Sequence, residues 1–103
     1  MIIVSSHNGV PVRLTEERWR HITRHHPEML NLKEQTLETL TQPELIQQGD
    51  YGEMLSIRLY PSTPLTRKHL VVVYREISQD DGFILTAYLA TKPSPRRITL
   101  WKQ

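Results

Sequence analysis

The sequence predicts an α+β domain in which an N-terminal hairpin and two helices pack on one face of a curved antiparallel sheet of about four strands. Two features indicate this class. Before residue 43 apolar residues recur at helical spacing in segments that end at prolines, and after residue 54 apolar residues alternate with polar ones. Helices followed by an antiparallel meander are typical of an α+β arrangement. The chain has 103 residues and no repeat or linker-like tract, so we expect one domain spanning residues 1–103.

The first segment, residues 2–14, predicts a β-hairpin. Asn8 and Gly9 stand between two short apolar runs, and this dipeptide favours a type I′ turn. Pro11 has no backbone N–H to donate to a neighbouring strand. We therefore expect the second strand of the hairpin at the edge of a sheet.

Two helices are predicted next. The first begins after Thr15, a residue that caps helix N-termini, and runs to about His26, since Pro27 disfavours a helical residue before it. The second is predicted to begin at Asn31, with Glu34 at capping-box spacing, and to end before residue 43. On the first helix, Trp19, Ile22 and His26 fall in one sector and are expected to be buried.

The second half of the chain predicts strands. Residues 54–60 and 82–90 alternate between apolar and polar side chains, and residues 70–74 are apolar on both faces, as in a central strand. A further strand is expected around residues 44–48. With the helices on one face, the uncovered face is predicted to carry Arg58, Tyr60, Thr86 and Tyr88 together.

Composition narrows the classes of function. No apolar run approaches the roughly 18 residues of a membrane-spanning helix, and no secretory leader is visible, so we expect a cytoplasmic protein without a membrane partner. The absence of cysteine excludes disulfides and thiolate metal sites. The net charge is only +2, but residues 33–53 are acidic and residues 58–75 and 92–102 are basic. Segregated positive charge favours a nucleic-acid surface, and ordinary solvated charge is the alternative.

A helix rich in histidine and arginine, residues 18–26, carries the strongest functional indication. His21 and His25 lie four residues apart beside the buried sector, where an imidazole can be oriented and still meet a substrate. The alternative is a histidine that ends the helix favourably for the dipole. Zinc binding by this pair requires a third protein ligand, and the glutamate of the zinc-protease helix is absent, so we expect no metal and no cofactor.

RNA cleavage matches this set of side chains. The 2′-hydroxyl of RNA is its own nucleophile, so the reaction needs a base, an acid and cationic stabilisation of the phosphorane. Arg58 is expected to hold a phosphate oxygen, Thr86 to donate a hydroxyl, and Tyr88 to stack on a base or share a proton. Lys92 is expected to neutralise developing charge.

The order of these features resembles a known family. The histidine helix ending in His-His-Pro27, the segment Leu70–Tyr74 and the strand Gly82–Tyr88 with its Thr-Ala-Tyr motif resemble the metal-independent nuclease domains of the Barnase, EndoU, colicin and RelE (BECR) superfamily, phage- and toxin-associated type. The similarity runs from about Val12 to Trp101. It implies helices on a curved antiparallel sheet and a ribonuclease activity.

The resemblance also implies site residues and a partner. Carried over by position, the catalytic residues would be His21, His25, Arg58, Thr86 and Tyr88, with either histidine as the base. The basic side chains expected to bind RNA are Arg24, Arg75, Lys92, Arg96 and Arg97. A toxin of this type would be inhibited by a small acidic antitoxin or immunity protein. The alternative function is a non-catalytic RNA- or protein-binding module that uses the same basic sheet face.

Overall fold

The computed structural model describes residues 1–103 as seven strands, two α-helices and one short 3₁₀ helix. The strands are β1 (Ile2–Ser5), β2 (Pro11–Leu14), β3 (Leu45–Gln48), β4 (Met54–Thr63), β5 (Thr66–Ser78), β6 (Asp81–Ala90) and β7 (Thr99–Lys102), and the helices are α1 (Glu16–His25), the 3₁₀ helix Pro27–Met29 and α2 (Lys33–Thr41). Neither α-helix is long and apolar enough to cross a membrane.

All seven strands form one mixed sheet in the order β1-β2-β6-β5-β4-β3-β7. The predicted antiparallel sheet of about four strands is therefore wrong, although helices and strands still combine as an α+β domain. The N-terminal hairpin does not pack on the sheet; it joins the sheet, because β2 pairs in parallel with β6. At the other end, β7 pairs with β3 and extends the sheet beyond the meander.

The hairpin turn differs from the predicted type. Its four residues Ser6–Gly9 are closed by the Gly9 N–H, which donates to the Ser6 carbonyl at 2.9 Å. Gly9 has φ +82° and Asn8 has a negative φ, whereas a type I′ turn needs positive φ at both. The expectation that Pro11 lies at a sheet edge is also wrong, since β2 lies inside the sheet. Pro11 is tolerated because it is the first residue of β2, ahead of the parallel pairing that begins at Val12.

The first helix matches its prediction and the second differs at its start. The Thr15 hydroxyl accepts a hydrogen bond from the Arg18 N–H at 3.0 Å, and α1 ends at His25, two residues before Pro27. In contrast, α2 begins at Lys33 after Leu32, with no side-chain cap. The capping box predicted at residues 31–34 does not form.

The main core lies between the helices and one sheet face, here called the helical face. Ile22 of α1 and Leu40 of α2 are fully buried there against Val72 and Tyr74 of β5. Each such side chain contributes about 1.5–3 kcal/mol of burial free energy. The sheet curls strongly, so that its two edges come together. The ring centroid of His7, which follows edge strand β1, lies 4.0 Å from that of Trp101 in the opposite edge strand β7.

The opposite sheet face, here called the outer face, carries a smaller apolar cluster of Leu55, Ile57 and Val71. Thr86 pairs with Val73 and Tyr88 pairs with Val71, so both predicted site residues of β6 lie on this face. The alternation predicted for β6 is interrupted because Leu85 is an extra residue between the pairs at Ile84 and Thr86, which is a β-bulge. Ile84 is therefore buried on the helical face.

Candidate functional site

A groove of about 530 Å³ lies on the outer face, beneath the segment that connects β6 to β7. Residues 91–98 pass over the sheet and form one wall, and the loop after β3 forms another. The floor is apolar and the walls are polar and basic. The groove is lined by Gln47, Gln48, Gly49, Asp50, Leu55, Ile57, Val71, Tyr88, Ala90, Lys92, Pro93, Ser94, Arg96, Arg97 and Ile98.

Four contacts hold the connecting segment over the sheet, one of them a backbone hydrogen bond in which the Gln48 N–H donates to the Ile98 carbonyl at 2.9 Å. The Gln47 amide nitrogen donates to the Ser94 carbonyl at 2.8 Å. The Arg97 guanidinium donates to the Gln48 carbonyl at 3.3 Å and forms an ion pair with Asp50 at 3.1 Å. Because all four contacts reach β3 or the loop directly after it, the wall of the groove is tied to this edge of the sheet.

The groove has an excess of positive charge. Arg97 is paired with Asp50, whereas Lys92 and Arg96 are exposed and form no ion pair. Lysine and arginine side chains free of carboxylate partners are the groups that bind phosphate. The three basic residues predicted near the end of β6 are therefore brought to one place, and two of them are free for an anionic ligand.

Tyr88 lies close both to this groove and to His26, the residue that follows α1. Its half-buried side chain lines the groove, and burial raises the pKa of its phenol, with Arg97 acting in the opposite direction. The ring centroid of His26 lies 5.8 Å from that of Tyr88, with the ring planes inclined by 34°. A phenol that stays protonated at neutral pH can donate a hydrogen bond or a proton, and the imidazole beside it can accept one.

His26 reaches Tyr88 because it lies outside the helix. Its φ of −130° and ψ of 76° end α1, and Pro27 begins the 3₁₀ helix directly after it. The side chain is 35% exposed, and its Nδ1 lies 3.8 Å from a carboxylate oxygen of Glu28. The prediction that His26 shares the buried sector with Ile22 is wrong, since a helical wheel does not apply to the residue before a proline. Pro27 was the sequence signal that His26 lies outside the helix.

His21 and His25 form an exposed pair with ring centroids 4.5 Å apart. Desolvation lowers the pKa of His21, and the neighbouring charges of His25, Arg18 and Arg24 lower it further. Arg18 donates to the Leu85 carbonyl at 3.3 Å, on the side of β6 that has no partner strand after residue 83. The pair therefore belongs to the helix beside the β6 edge, and neither histidine lines the groove.

Arg58 lies on the helical face, away from Thr86 and Tyr88. Its guanidinium donates to the Gln42 carbonyl at 2.7 Å and lies 3.7 Å from a carboxylate oxygen of Glu38. Tyr60 is on the same face and donates to Glu38, and burial followed by this hydrogen bond raises the pKa of its phenol to about 12. The prediction that Arg58 and Tyr60 share the uncovered face with the β6 residues is therefore wrong.

The other predicted RNA-binding arginines lie outside the groove. Arg24 is exposed in the last turn of α1. Arg75 is on β5, where it donates to the Tyr51 carbonyl at 3.0 Å. Three groove or groove-side residues were not identified from sequence: Gln47, Asp50 and His26. Gln47 and Asp50 had no distinguishing pattern, since one is in a four-residue strand and the other is in the loop after it.

The composition of nearby side chains gives no metal centre. No three histidine, cysteine, aspartate or glutamate side chains converge in a way that could hold an ion. Comparison with known protein families, with curated proteins and with solved structures finds no match. The candidate site therefore consists of the groove and of His26 beside Tyr88.

Proposed function

We propose that this protein is a metal-independent endoribonuclease, resembling the toxin-associated BECR nucleases, with its site in the outer-face groove. One observation carries the proposal: Tyr88 lines a groove whose wall holds unpaired Lys92 and Arg96, and its ring lies 5.8 Å from the imidazole of His26. An acid–base pair beside free cations is what RNA cleavage requires.

The proposed reaction is attack of the 2′-hydroxyl oxygen on the adjacent phosphorus. His26 accepts the proton of that hydroxyl, a 2′–O–P bond forms, and the bond from phosphorus to the 5′-oxygen breaks. Tyr88 gives a proton to the leaving 5′-oxygen, and the products are a 2′,3′-cyclic phosphate and a 5′-hydroxyl. Lys92 and Arg96 stabilise the charge of the phosphorane.

This assignment differs from the sequence-based hypothesis in three roles, those of the phosphate-binding residue, of the general base and of the hydroxyl donor. Arg58 is engaged by the α2 segment on the other face, so the phosphate role passes to Lys92 and Arg96. His21 and His25 remain rivals to His26 as the base, because they belong to the same helical segment and His21 is biased towards its neutral form. Thr86 lies on the same face as Tyr88 but does not line the groove, so it has no part in the proposed reaction.

The test is incubation of the purified protein with total RNA in EDTA. We expect wild type to cleave, His26→Gln to lose most activity, and the double variant His21→Ala, His25→Ala to retain it. The matched control is His69→Gln on β5, since the Nδ1 of His69 donates to the Thr91 carbonyl and the residue has no assigned role. Intact RNA with wild-type protein would contradict the proposal. Loss of activity only in the double variant would return the base to the exposed pair.

A non-catalytic RNA-binding module is the second candidate, and one observation favours it: no histidine lines the groove itself. Such a module would bind RNA through Lys92, Arg96 and the exposed Arg24 and yield no product. Binding would weaken steeply with salt in either case, because phosphate contacts release counterions. Only the appearance of a 2′,3′-cyclic phosphate separates the two candidates.

A ribonuclease acting in the cytoplasm requires an inhibitor, which we propose to be a small acidic protein. Arg20 and Arg24 are exposed on α1 and form no ion pair, and they offer such a partner a basic surface beside the site. The corresponding test is growth on expression of the gene. Arrest by wild type and normal growth with His26→Gln would support a toxin, and normal growth with both would contradict it.

A further inference from the structure

The groove combines an apolar floor with a cationic rim. Leu55, Ile57 and Val71 form the buried floor, and Ala90 lies beside them on β6. The volume of about 530 Å³ falls within the range of roughly 300–1,000 Å³ that small-ligand sites occupy. A surface that bound only phosphates would need the cations and would have no use for this floor.

Gln47 adds a hydrogen-bond acceptor without a partner. The residue is 4% exposed and lines the groove. A carbonyl oxygen only accepts, so the contact with Ser94 requires the amide nitrogen of Gln47 on that side and leaves Oε1 free. Oε1 has no hydrogen-bond partner, and a buried unsatisfied acceptor is costly. A ligand with an N–H donor would satisfy it.

From these features we infer that the groove is a subsite for a single unpaired nucleotide. The inference rests on the proposed RNA-cleaving function and specifies its substrate as single-stranded. The base enters over the floor beside Tyr88, and a rotation of the Gln47 side chain brings Oε1 to an N–H of the base. Its phosphates lie at the rim with Lys92 and Arg96. Aromatic side chains stack on bases of any sequence, so Tyr88 provides affinity without base preference.

The inference excludes duplex RNA as a good ligand. In a duplex each base is stacked on both sides and its Watson–Crick edge is paired, so it cannot occupy a floor of this kind without leaving the helix. A single strand presents its bases without that cost. The cations at the rim attract both forms, and the duplex more strongly because its charge density is higher, so a preference for the single strand reports on the floor of the groove.

The first measurement is binding of adenosine 5′-monophosphate, ribose 5-phosphate and inorganic phosphate by calorimetry. We expect the nucleotide to bind at least about fivefold more tightly than ribose 5-phosphate, because the stacked base adds to affinity. Equal affinity for these two compounds would overturn the inference and leave the groove as a phosphate site only.

Ala90→Leu is the matching variant, since it fills the floor and leaves every charge in place. We expect it to remove the advantage of the nucleotide and to leave binding of inorganic phosphate unchanged. Ser62→Leu, which adds the same side chain at an exposed position of β4, is the control for added apolar bulk. If Ala90→Leu fails to fold by circular dichroism, Ala90→Val replaces it, because that change adds fewer atoms to the floor and also leaves every charge in place. A nucleotide advantage that survives in a folded variant would overturn the inference.

The second measurement compares a single-stranded 12-nucleotide RNA with its duplex, for binding in EDTA and for cleavage. Preference for the single strand in both supports the inference. Equal cleavage of both forms would overturn the subsite and leave the ribonuclease standing. Absence of cleavage with base-dependent binding of the nucleotide would overturn the ribonuclease and support the subsite.

Discussion

The rings of His26 and Tyr88 lie 5.8 Å apart, one from the residue that ends α1 and one from the outer face of β6. They approach each other because β6 has no strand partner on this side after residue 83. The 3₁₀ helix Pro27–Met29 follows His26 directly and contributes Met29 to the core. The short parallel pairing of β2 with β6 thus leaves the rest of this β6 edge open, and His26 comes close to the groove there.

Replacing Tyr88 by Phe is expected to lower kcat/KM for RNA by about 10²–10⁴, the usual contribution of a proton donor. Burial raises the pKa of this phenol, so it is the protonated form that acts at neutral pH. The measurement is initial rate on a fluorogenic oligonucleotide. Tyr51→Phe is the control, because Tyr51 is 81% exposed and its contact with Arg75 is through the backbone. Equal rates for Tyr88→Phe and wild type would remove Tyr88 from the mechanism.

Arg58→Ala is expected to lower stability and to leave cleavage unchanged. The hydrogen bond to the Gln42 carbonyl and the ion pair with Glu38, both absent from the variant, correspond to about 1 kcal/mol of unfolding free energy, since the arginine is partly exposed. Urea unfolding and the RNA assay measure the two effects separately. Arg67→Ala, at an exposed site on β5, controls for the removal of one charge. A large loss of activity at unchanged stability would restore the phosphate role.

Arg58 lies on the other face than predicted, and this shows what the alternation of apolar and polar residues can and cannot predict about a site. Period two correctly separates Leu55 and Ile57 from Arg58 on β4, but it does not tell which side the helices cover. That choice depends on packing of α2 against the strands, which no local pattern contains. In β6 the bulge at Leu85 adds a second difficulty, because an extra residue reverses the alternation on one side of it.

Local signals predicted the hairpin, both α-helices and the strands between residues 44 and 90, but neither β7 nor the 3₁₀ helix, and long-range pairing determined the sheet. Thr15 and Pro27 bound α1 through contacts within a few residues, so the sequence was sufficient for that helix. The four-residue strands β1, β2 and β7 are too short for a periodic pattern to indicate their partners. The places of β2 and β7 follow from pairing with strands some 50 to 70 residues away, such as Val12 with Gly82, and β1 joins the sheet through its hairpin with β2. This is why the predicted sheet was three strands too small.

Lys92→Ala and Arg96→Ala are each expected to reduce the salt dependence of single-stranded RNA binding. The slope of log K against log salt should change by about 0.7 for each phosphate that the variant no longer neutralises. Fluorescence anisotropy at several salt concentrations gives the slope. Lys102→Ala removes one charge from β7 outside the groove and is the control. A common slope for all three variants and wild type would show that RNA does not bind at the rim.

The pKa of His21 is expected to lie below the ordinary value of 6.5, chiefly through desolvation and then through the charge of His25. Folding therefore disfavours the protonated ring, so the folded state loses stability as the pH falls from 6.5 through the lowered pKa. His25→Gln should raise the pKa of His21 towards 6.5. NMR titration of the imidazole protons measures the pKa of His21 in the wild type and in the variant. An unchanged pKa in the variant would show that the pair is not electrostatically coupled.

Gly82→Ala is expected to destabilise the fold by about 1–3 kcal/mol, the usual cost of forcing extra atoms into a packed site. Gly82 lies where β2, β6 and β5 meet, and a Cβ there would come 2.7 Å from the Arg75 carbonyl oxygen and 3.2 Å from Val12. Backbone cannot rotate away as a side chain can. Gly49→Ala is the matched control, since the three atoms nearest to its Cβ all belong to the side chain of Glu53, which can rotate. Thermal unfolding that places Gly82→Ala at or above Gly49→Ala in stability would contradict the close approach of these three strands.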